Sequence, residues 1–347
     1  MTSIDKKPTG KAGPHALLSV VRRGDHVESQ HKGSMVVVQG TKVLYAWGSP
    51  DERTYARSCL KPFQALPTLE RGLADDFSDD EVALLSASHS GSPRHTEVAR
   101  RILARGGFRE DDLCCGVHAP YDTASAHALI REGVKPTRLH NNCSGKHSGF
   151  LHLARATDTP LARCLDVDSA VQREVLLATA AMCDLDPSDV PTAIDGCGAP
   201  TFYMPLVALA RGFCKLANPA AAGLSPERQR ACTRLFKAVT NHPELLAGEG
   251  RLCTALIRSA PGGIYPKNGA EGVYAAGIPG KNLGIAVKVV DGNERGYFPV
   301  IIEVLLRLGL WREVPEVLAD FSRVPIRNTQ GKLVGSVEGA LSWPERQ

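Results

Sequence analysis

A serine followed three residues later by a lysine, Ser58-Cys59-Leu60-Lys61, puts a hydroxyl and an amine on one face of a helical turn. A neutral amine there can take the hydroxyl proton and make a nucleophile without any histidine. Neutrality requires a pKa lowered by burial or by a second cation nearby. The spacing alone says little, because Ser3-Lys6 and Ser29-Lys32 share it in polar segments. The setting of Ser58 is different. Phe63, Ala65, Leu66 and Leu69 follow it as an apolar set suited to a buried helix face. Pro62 is tolerated only in the first turn of that helix. The expectation is a serine at a helix N-terminus facing a cavity; the competing reading is a solvated Lys61 on a helix surface.

Three further segments combine small residues with reactive groups. Ser86-Ala87-Ser88-His89-Ser90-Gly91 carries three hydroxyls and a histidine, which could equally be a Ser-rich turn capping its neighbours. His140-Asn141-Asn142-Cys143-Ser144-Gly145-Lys146-His147 leads into the apolar stretch Phe150-Leu151-Leu153. It reads either as a site or as a capped helix start. Pro266-Lys267-Asn268-Gly269-Ala270-Glu271-Gly272 offers a lysine among glycines whose backbone can approach a ligand closely. None of these four segments is expected to be regular helix or strand.

The elements that must position these groups follow from periodicity. Leu17–Val21, Met35–Val38 and Val43–Tyr45 read as a β-meander. From Ser58 to about Gly149 the pattern turns helical, with Asp79-Asp80 opening one helix and His95–Gly106 forming another. Helical blocks run over Leu151–Cys183 and Pro205–Leu246, separated by the turn-rich Asp195-Gly196-Cys197-Gly198-Ala199-Pro200. Strands return at Gly272–Tyr274 and Leu283–Val290, followed by a helix around Val300–Leu310. Strands at both ends around a helical middle predict an α+β fold with one sheet built from the two termini and helices layered on it.

Composition narrows the function class. The chain has 347 residues, 41 basic against 37 acidic, and a formal charge of +4 spread along its length. Basic clusters lack interleaved aromatics, which disfavours nucleic acid as a partner. Apolar runs are too short to span a bilayer, so no membrane partner is expected. Residues 1–14 read as a disordered polar lead-in without a secretory h-region, and residues 15–347 as a single domain. Ten cysteines without compact spacing are expected as reduced thiols in a cytoplasmic protein. Walker A, complete G-x-G-x-x-G, C-x-x-C and H-E-x-x-H motifs are absent from the sequence, so no nucleotide cofactor is expected.

Ser58-x-x-Lys61 with the later Lys267-Asn268-Gly269 looks like the paired S-x-x-K and K-[ST]-G motifs of β-lactamases and penicillin-binding proteins. More specifically, R-S-x-x-K-P-F-Q, A-S-H-S-G, N-N-C-S-G-K-H, D-G-C-G-x-P and K-x-G-A-E-G in this order resemble the asparaginase II family, the Rhizobium etli-type L-asparaginases. The resemblance runs from about His15 to Val334; Cys59, Leu60 and Asn268 are its departures. It implies a β-lactamase-like serine hydrolase fold, a homodimer, and hydrolysis of L-asparagine to L-aspartate and ammonia. It implies Ser58 with Lys61 as one Ser–Lys pair and Ser90 with Lys267 as a second. Arg57, Lys146 and Asp195 would line the substrate pocket, with Cys253 nearby. It also implies zinc held by Cys143, Lys146 and Cys197, where the lysine must first lose its proton. A broader serine amidohydrolase (a glutaminase or a penicillin-recognising enzyme) is the alternative within the class. A non-catalytic amino-acid-binding or zinc-binding protein is the alternative outside it.

Overall fold

The computed structural model describes residues 14–343. The expected lead-in therefore lies outside the described residues, apart from Pro14.

Among the described residues eleven strands are formed, β1 Ala16–Arg23, β2 His26–Gln39, β3 Lys42–Trp47, β4 Arg53–Tyr55, β5 Thr192–Ile194, β6 Pro200–Pro205, β7 Tyr265–Gly269, β8 Val273–Ile278, β9 Leu283–Val289, β10 Arg323–Arg327 and β11 Leu333–Gly339. Eight of them make one sheet in the order β10-β11-β1-β2-β9-β8-β7, with β3 paired to β2. Strand β2 is the seam between the two chain ends: Val36 pairs with Ala286 of β9 on one side while Ala16 of β1 faces Gly33 on the other. All these pairings are antiparallel. The expected α+β sheet drawn from both termini is present. The hairpin of β10 and β11 has no counterpart in the sequence expectations, because Arg323–Arg327 and Leu333–Gly339 are only partly buried and lack a strong apolar alternation.

The helices that concern the site are α1 Lys61–Glu70, α2 Asp79–Leu85, α3 Pro93–Arg105, α4 Thr123–Glu132, α5 Ser144–Ala156, α6 Ala170–Cys183, α7 Leu206–Ala217 and α8 Pro226–Asn241. Helix α7 lies across β2, β8 and β9. It approaches so closely that a Cβ on Gly277 or Gly284 would come within 2.1 Å of Phe213 O or 2.0 Å of Ala210 O. Helix α1 is buried along nearly its whole length between α5, α6 and α8. Its start is fixed as Pro62 demands, with Lys61 the first residue and the proline in the first turn. Ser78 caps helix α2, with a capping box to Glu81; Asp79 and Asp80 occupy the first turn, where their charge suits the helix dipole.

A second, three-stranded sheet, β4-β6-β5, delivers the remaining site segments. Tyr55 pairs with Tyr203, and Ala56 N donates to Phe202 O at 3.1 Å. The β5–β6 hairpin turns over residues 195–199, closed by Asp195 N donating to Ala199 O at 2.9 Å with Gly198 at φ +85°. Pairing β4 to β6 thus sets the chain leaving β4, at Arg57, beside the tip that carries Asp195.

Candidate active site

Two lysines are buried at the meeting point of α1, α5 and β7. Lys61 Nζ donates to Ala87 O at 2.7 Å, Ser88 Oγ at 2.9 Å and Asn142 O at 3.1 Å. Lys267 Nζ lies 2.8 Å from the same Ser88 Oγ and donates to Asn268 O at 2.9 Å. Both lysines are at most 2% exposed, whereas Ser88 is partly open to solvent. Burial lowers the pKa of Lys61; burial and then the charge of Lys61 lower Lys267 to about 7. Each amine has three partners, since Lys267 Nζ also reaches Asn268 Oδ1 at 3.2 Å, so the lowered pKa rather than the number of acceptors separates them. Lys267 is the member of the pair that can stand neutral near neutral pH.

The pairing differs from expectation in two respects. Among the described residues no side-chain hydrogen bond joins the Lys61 amine to the Ser58 hydroxyl, although the spacing holds; the Lys61 backbone N–H donates to Ser58 O. Ser58 sits in the short 3-10 turn Arg57–Leu60 that precedes α1, partly exposed, while the lysine points into the cluster of carbonyls. The hydroxyl beside Lys267 is Ser88, not Ser90. Ser90 packs against Gly248, where a Cβ would stand 2.3 Å from its Oγ, and its carbonyl accepts from Asp122 N. The register explains the choice. Tyr265 and Lys267 project from one face of β7; the tyrosine hydroxyl donates to Ser86 at 2.7 Å and the lysine reaches Ser88. The next residue on that face is Gly269, which offers Ser90 nothing. Lys267 is therefore a strand residue, not the loop residue its glycines suggest.

Glycines and small groups close these segments together. Gly269 lies where a Cβ would stand 3.0 Å from Ala56 O and 3.3 Å from Cys59 Sγ, and that thiol donates to Lys267 O at 3.1 Å. Gly145 sits against α2, where a Cβ would come within 2.3 Å of Leu84 O. His89, between the two serines, accepts from Gly91 N at Nδ1, so its Nε2 carries the proton toward Ser144 Oγ at 2.9 Å. Burial first, then the charge of nearby groups, keeps it well below its usual pKa and neutral.

Arg57 and Asp195 form a two-point ion pair, with Nη2 to Oδ1 at 2.9 Å and Nε to Oδ2 at 3.2 Å. Arg57 adopts φ +50°, a left-handed backbone rare for a residue with a side chain. Lys146 Nζ donates to Cys197 Sγ at 3.1 Å. Burial opposes the charge on Lys146, but Cys197 and Cys143 outweigh it and its pKa rises. Cys197 is held far down, first by the hydrogen bond from Cys143. Both ring nitrogens of His147 are buried without a protein partner, and burial pushes its pKa down to about 4. Among the described residues no group of three or more His, Cys, Asp or Glu is gathered to hold a metal ion. Cys253 lies behind β7, 3.3 Å from Tyr274 OH. It borders a cavity of about 170 Å³ that includes Asn268, Tyr274 and Tyr297 but neither lysine.

The residues that sequence reasoning missed are Ser88, Asn142 and Asn268. Ser88 was within reach of a period-2 match between Ser86-x-Ser88 and Tyr265-x-Lys267. Asn142 contributes its backbone carbonyl to Lys61, which no side-chain pattern announces.

The chain resembles solved structures only distantly. An Mglu structure in its glutamate form aligns at TM-score 0.37 with 15% identity, over 81% of this chain and 62% of that one. A D-alanine carboxypeptidase AmpC from Burkholderia cenocepacia aligns at 0.35 with 15% identity, over 75% of this chain and 88% of that one. A β-lactamase from Burkholderia ambifaria aligns at 0.33 with 14% identity, over 74% and 85%. The chain spans 57–68% of the length of the first Mglu chains it matches. No curated protein sequence matches it. The family model described as L-asparaginase II matches residues 19–339, nearly the whole described length. The chain belongs to the L-asparaginase II family and is an L-asparaginase-type amidohydrolase.

Proposed function

We propose that the protein hydrolyses L-asparagine to L-aspartate and ammonia through a serine activated by lysine. The observation that carries this reading is one hydroxyl, Ser88, within hydrogen-bond distance of two buried lysines, of which Lys267 has its pKa lowered to about 7. Lys61, kept as the cation, orients Ser88 and helps to hold Lys267 neutral. Lys267 takes the Ser88 proton as the oxygen attacks the side-chain amide carbon, then passes it to the departing ammonia. Water then gives a proton to Lys267 as its oxygen attacks the ester carbon; the Ser88 Oγ–carbon bond breaks, Lys267 returns the proton to Ser88 Oγ, and aspartate is released. Arg57 and Asp195 offer opposite charges side by side, suited to the α-carboxylate and α-ammonium of an amino acid. Ser58, partly exposed at the mouth of α1, is the second hydroxyl of the site.

Zinc belongs to the same proposal. Two thiols, Cys143 and Cys197, and the Lys146 amine 3.1 Å from Cys197 Sγ are donor types that suit the ion. Cys143, Lys146 and Cys197 would hold it, with Lys146 giving up its proton. Bound there, zinc would supply a fixed positive charge beside the substrate pocket. The homodimer implied by the resemblance, and the cytoplasmic location expected from the unpatterned cysteines, are likewise proposed. Size-exclusion chromatography with light scattering tests the former. No helix among the described residues is long and apolar enough to cross a membrane.

The decisive experiment is ammonia release from L-asparagine and L-glutamine, with the acyl-enzyme trapped and mapped. Hydrolysis of asparagine with the adduct on Ser88 supports the reading; an adduct on Ser58 reassigns the nucleophile, and no turnover of either amide overturns it. One methylene is worth only ~1–3 kcal/mol in a pocket, so glutamine is expected as a slower substrate.

A further inference from the structure

Apart from the lysine centre, two cysteines that no step above uses stand sulfur to sulfur. Cys114 follows the 3-10 turn Glu110–Asp112 and is partly open to solvent; Cys164 closes the turn Leu161–Arg163 and is buried. Although separated by 50 positions, they meet with Cys164 Sγ donating to Cys114 Sγ at 3.4 Å. The two thiols are therefore unequal in position and in chemistry. The hydrogen bond from Cys164 brings Cys114 down to about 7, with burial opposing and Arg138 assisting. The donor, Cys164, moves the other way for the same contact and for its burial. Cys114 Sγ also faces Leu161 O at 3.4 Å and Asp112 O at 3.6 Å; a partly exposed thiol of lowered pKa with a second thiol behind it is the arrangement of an attacking and a resolving cysteine.

We propose that Cys114 and Cys164 form a reversible intramolecular disulfide when the protein meets a hydroperoxide. The Cys114 thiolate attacks one peroxide oxygen and the O–O bond breaks. This leaves a sulfenic acid on Cys114 and, for hydrogen peroxide, hydroxide as the leaving group. The Cys164 sulfur then attacks Cys114; the S–S bond forms, the S–O bond breaks, and the Cys164 proton leaves with the hydroxyl as water. Two thiols lose two electrons in all, one peroxide is reduced, and a dithiol reverses the bond by exchange. The sulfurs must close from 3.4 Å to about 2.05 Å, a movement within reach of side-chain rotation in two short turns.

The bond would tie together two segments that flank the amidohydrolase site. Gly116 O accepts from Asn141 Nδ2 at 2.8 Å, next to the Asn142 carbonyl that holds Lys61. Leu165 Cδ1 packs on the 195–199 turn, 3.2 Å from the place of a Cβ on Gly198.

The test is peptide mapping without reduction after brief treatment of the whole protein with hydrogen peroxide. Trypsin yields residues 110–131, holding Cys114 and Cys115, and residues 164–173, holding Cys164. The expected result is a cross-link of these two peptides that dithiothreitol removes. It should survive Cys115→Ser and vanish in Cys114→Ser. A cross-link that persists in Cys114→Ser would assign it to Cys115 and overturn the proposal. So would a wild type that forms only a Cys143–Cys197 link, or none while thiols are consumed. The readout is mass, so it stands apart from whether the protein cleaves asparagine.

Discussion

Lys61 and Lys267, 206 positions apart in the sequence, converge on a single oxygen, Ser88 Oγ, at 2.9 and 2.8 Å. Like charges at that separation cannot both persist in a buried site, so the geometry itself divides them into a cation and a neutral amine. Both amines have three oxygen partners, so the division follows burial and the charge of Lys61, which together bring Lys267 to about 7.

Ser88→Ala is accordingly expected to lower kcat/KM for asparagine by roughly 10⁴–10⁶-fold, the scale of a lost serine nucleophile. Ser90→Ala, which removes a hydroxyl packed on Gly248, should leave kcat near the wild type. Equal losses in the two variants would break the link drawn here between hydroxyl and lysine.

The neutral form of Lys267 sets the pH dependence. Because its pKa is lowered to about 7, the fraction able to accept a proton grows as pH rises through that value. The profile of kcat/KM should climb with pH and level off above it. Lys267→Arg, charged at every accessible pH, should be inactive throughout. A flat profile between pH 6 and 8 in the wild type would exclude Lys267 as the base.

Gly269→Ala tests the docking of β7 on the turn that precedes α1. The new methyl would press on Ala56 O and Cys59 Sγ, moving the strand that carries Lys267. Overpacking of this kind costs about 1–3 kcal/mol, so the variant should fold with a lower Tm. Its activity should fall further than that loss of stability explains. Wild-type kcat would mean that the strand tolerates the shift.

How far these relationships can be read from sequence depends on which atoms carry them. The sheet from both chain ends was legible because Met35–Val38 and Leu283–Val289 are dense apolar strands flanked by turns. The first turn of α1 was legible because Pro62 allows little else. Arg57 and Asp195 were named together by motif, but their meeting depends on Tyr55 pairing with Tyr203, a register no local pattern states. Ser88 was hidden because three alternate hydroxyls are equivalent until β7 is recognised as a strand, and its Lys-Asn-Gly reads as a loop. Lys61 was assigned to Ser58 because helical spacing was visible, while the competing acceptors were backbone carbonyls.

The Arg57–Asp195 pair should act on substrate binding more than on bond breaking. Asp195→Asn keeps the shape but removes the charge opposite Arg57 and the partner of an α-ammonium. KM for asparagine should rise by about 10-fold or more, as expected for a charge-assisted contact of about 1.5–3 kcal/mol, with kcat changed much less. A fall confined to kcat would move Asp195 from recognition to chemistry.

Lys267 also ties stability to pH, in the same direction as a carboxylate of lowered pKa but in a window several pH units higher. Its folded pKa of about 7 lies below its ordinary value of 10.5. Between those two values the unfolded chain holds a proton that the folded chain does not. Unfolding free energy therefore gains a positive slope from this residue, at most ~1.4 kcal/mol per pH unit. Below pH 7 both states are protonated and the full penalty of a buried second cation is felt. Lys267→Met fills similar space without a titrating group, so it should lack that slope. The difference in unfolding free energy, wild type minus variant, measured by urea denaturation from pH 6 to pH 10, should rise steadily above pH 7. Parallel curves would show that Lys267 keeps an ordinary pKa in the folded protein, and the division of charge between the two lysines would fall with it.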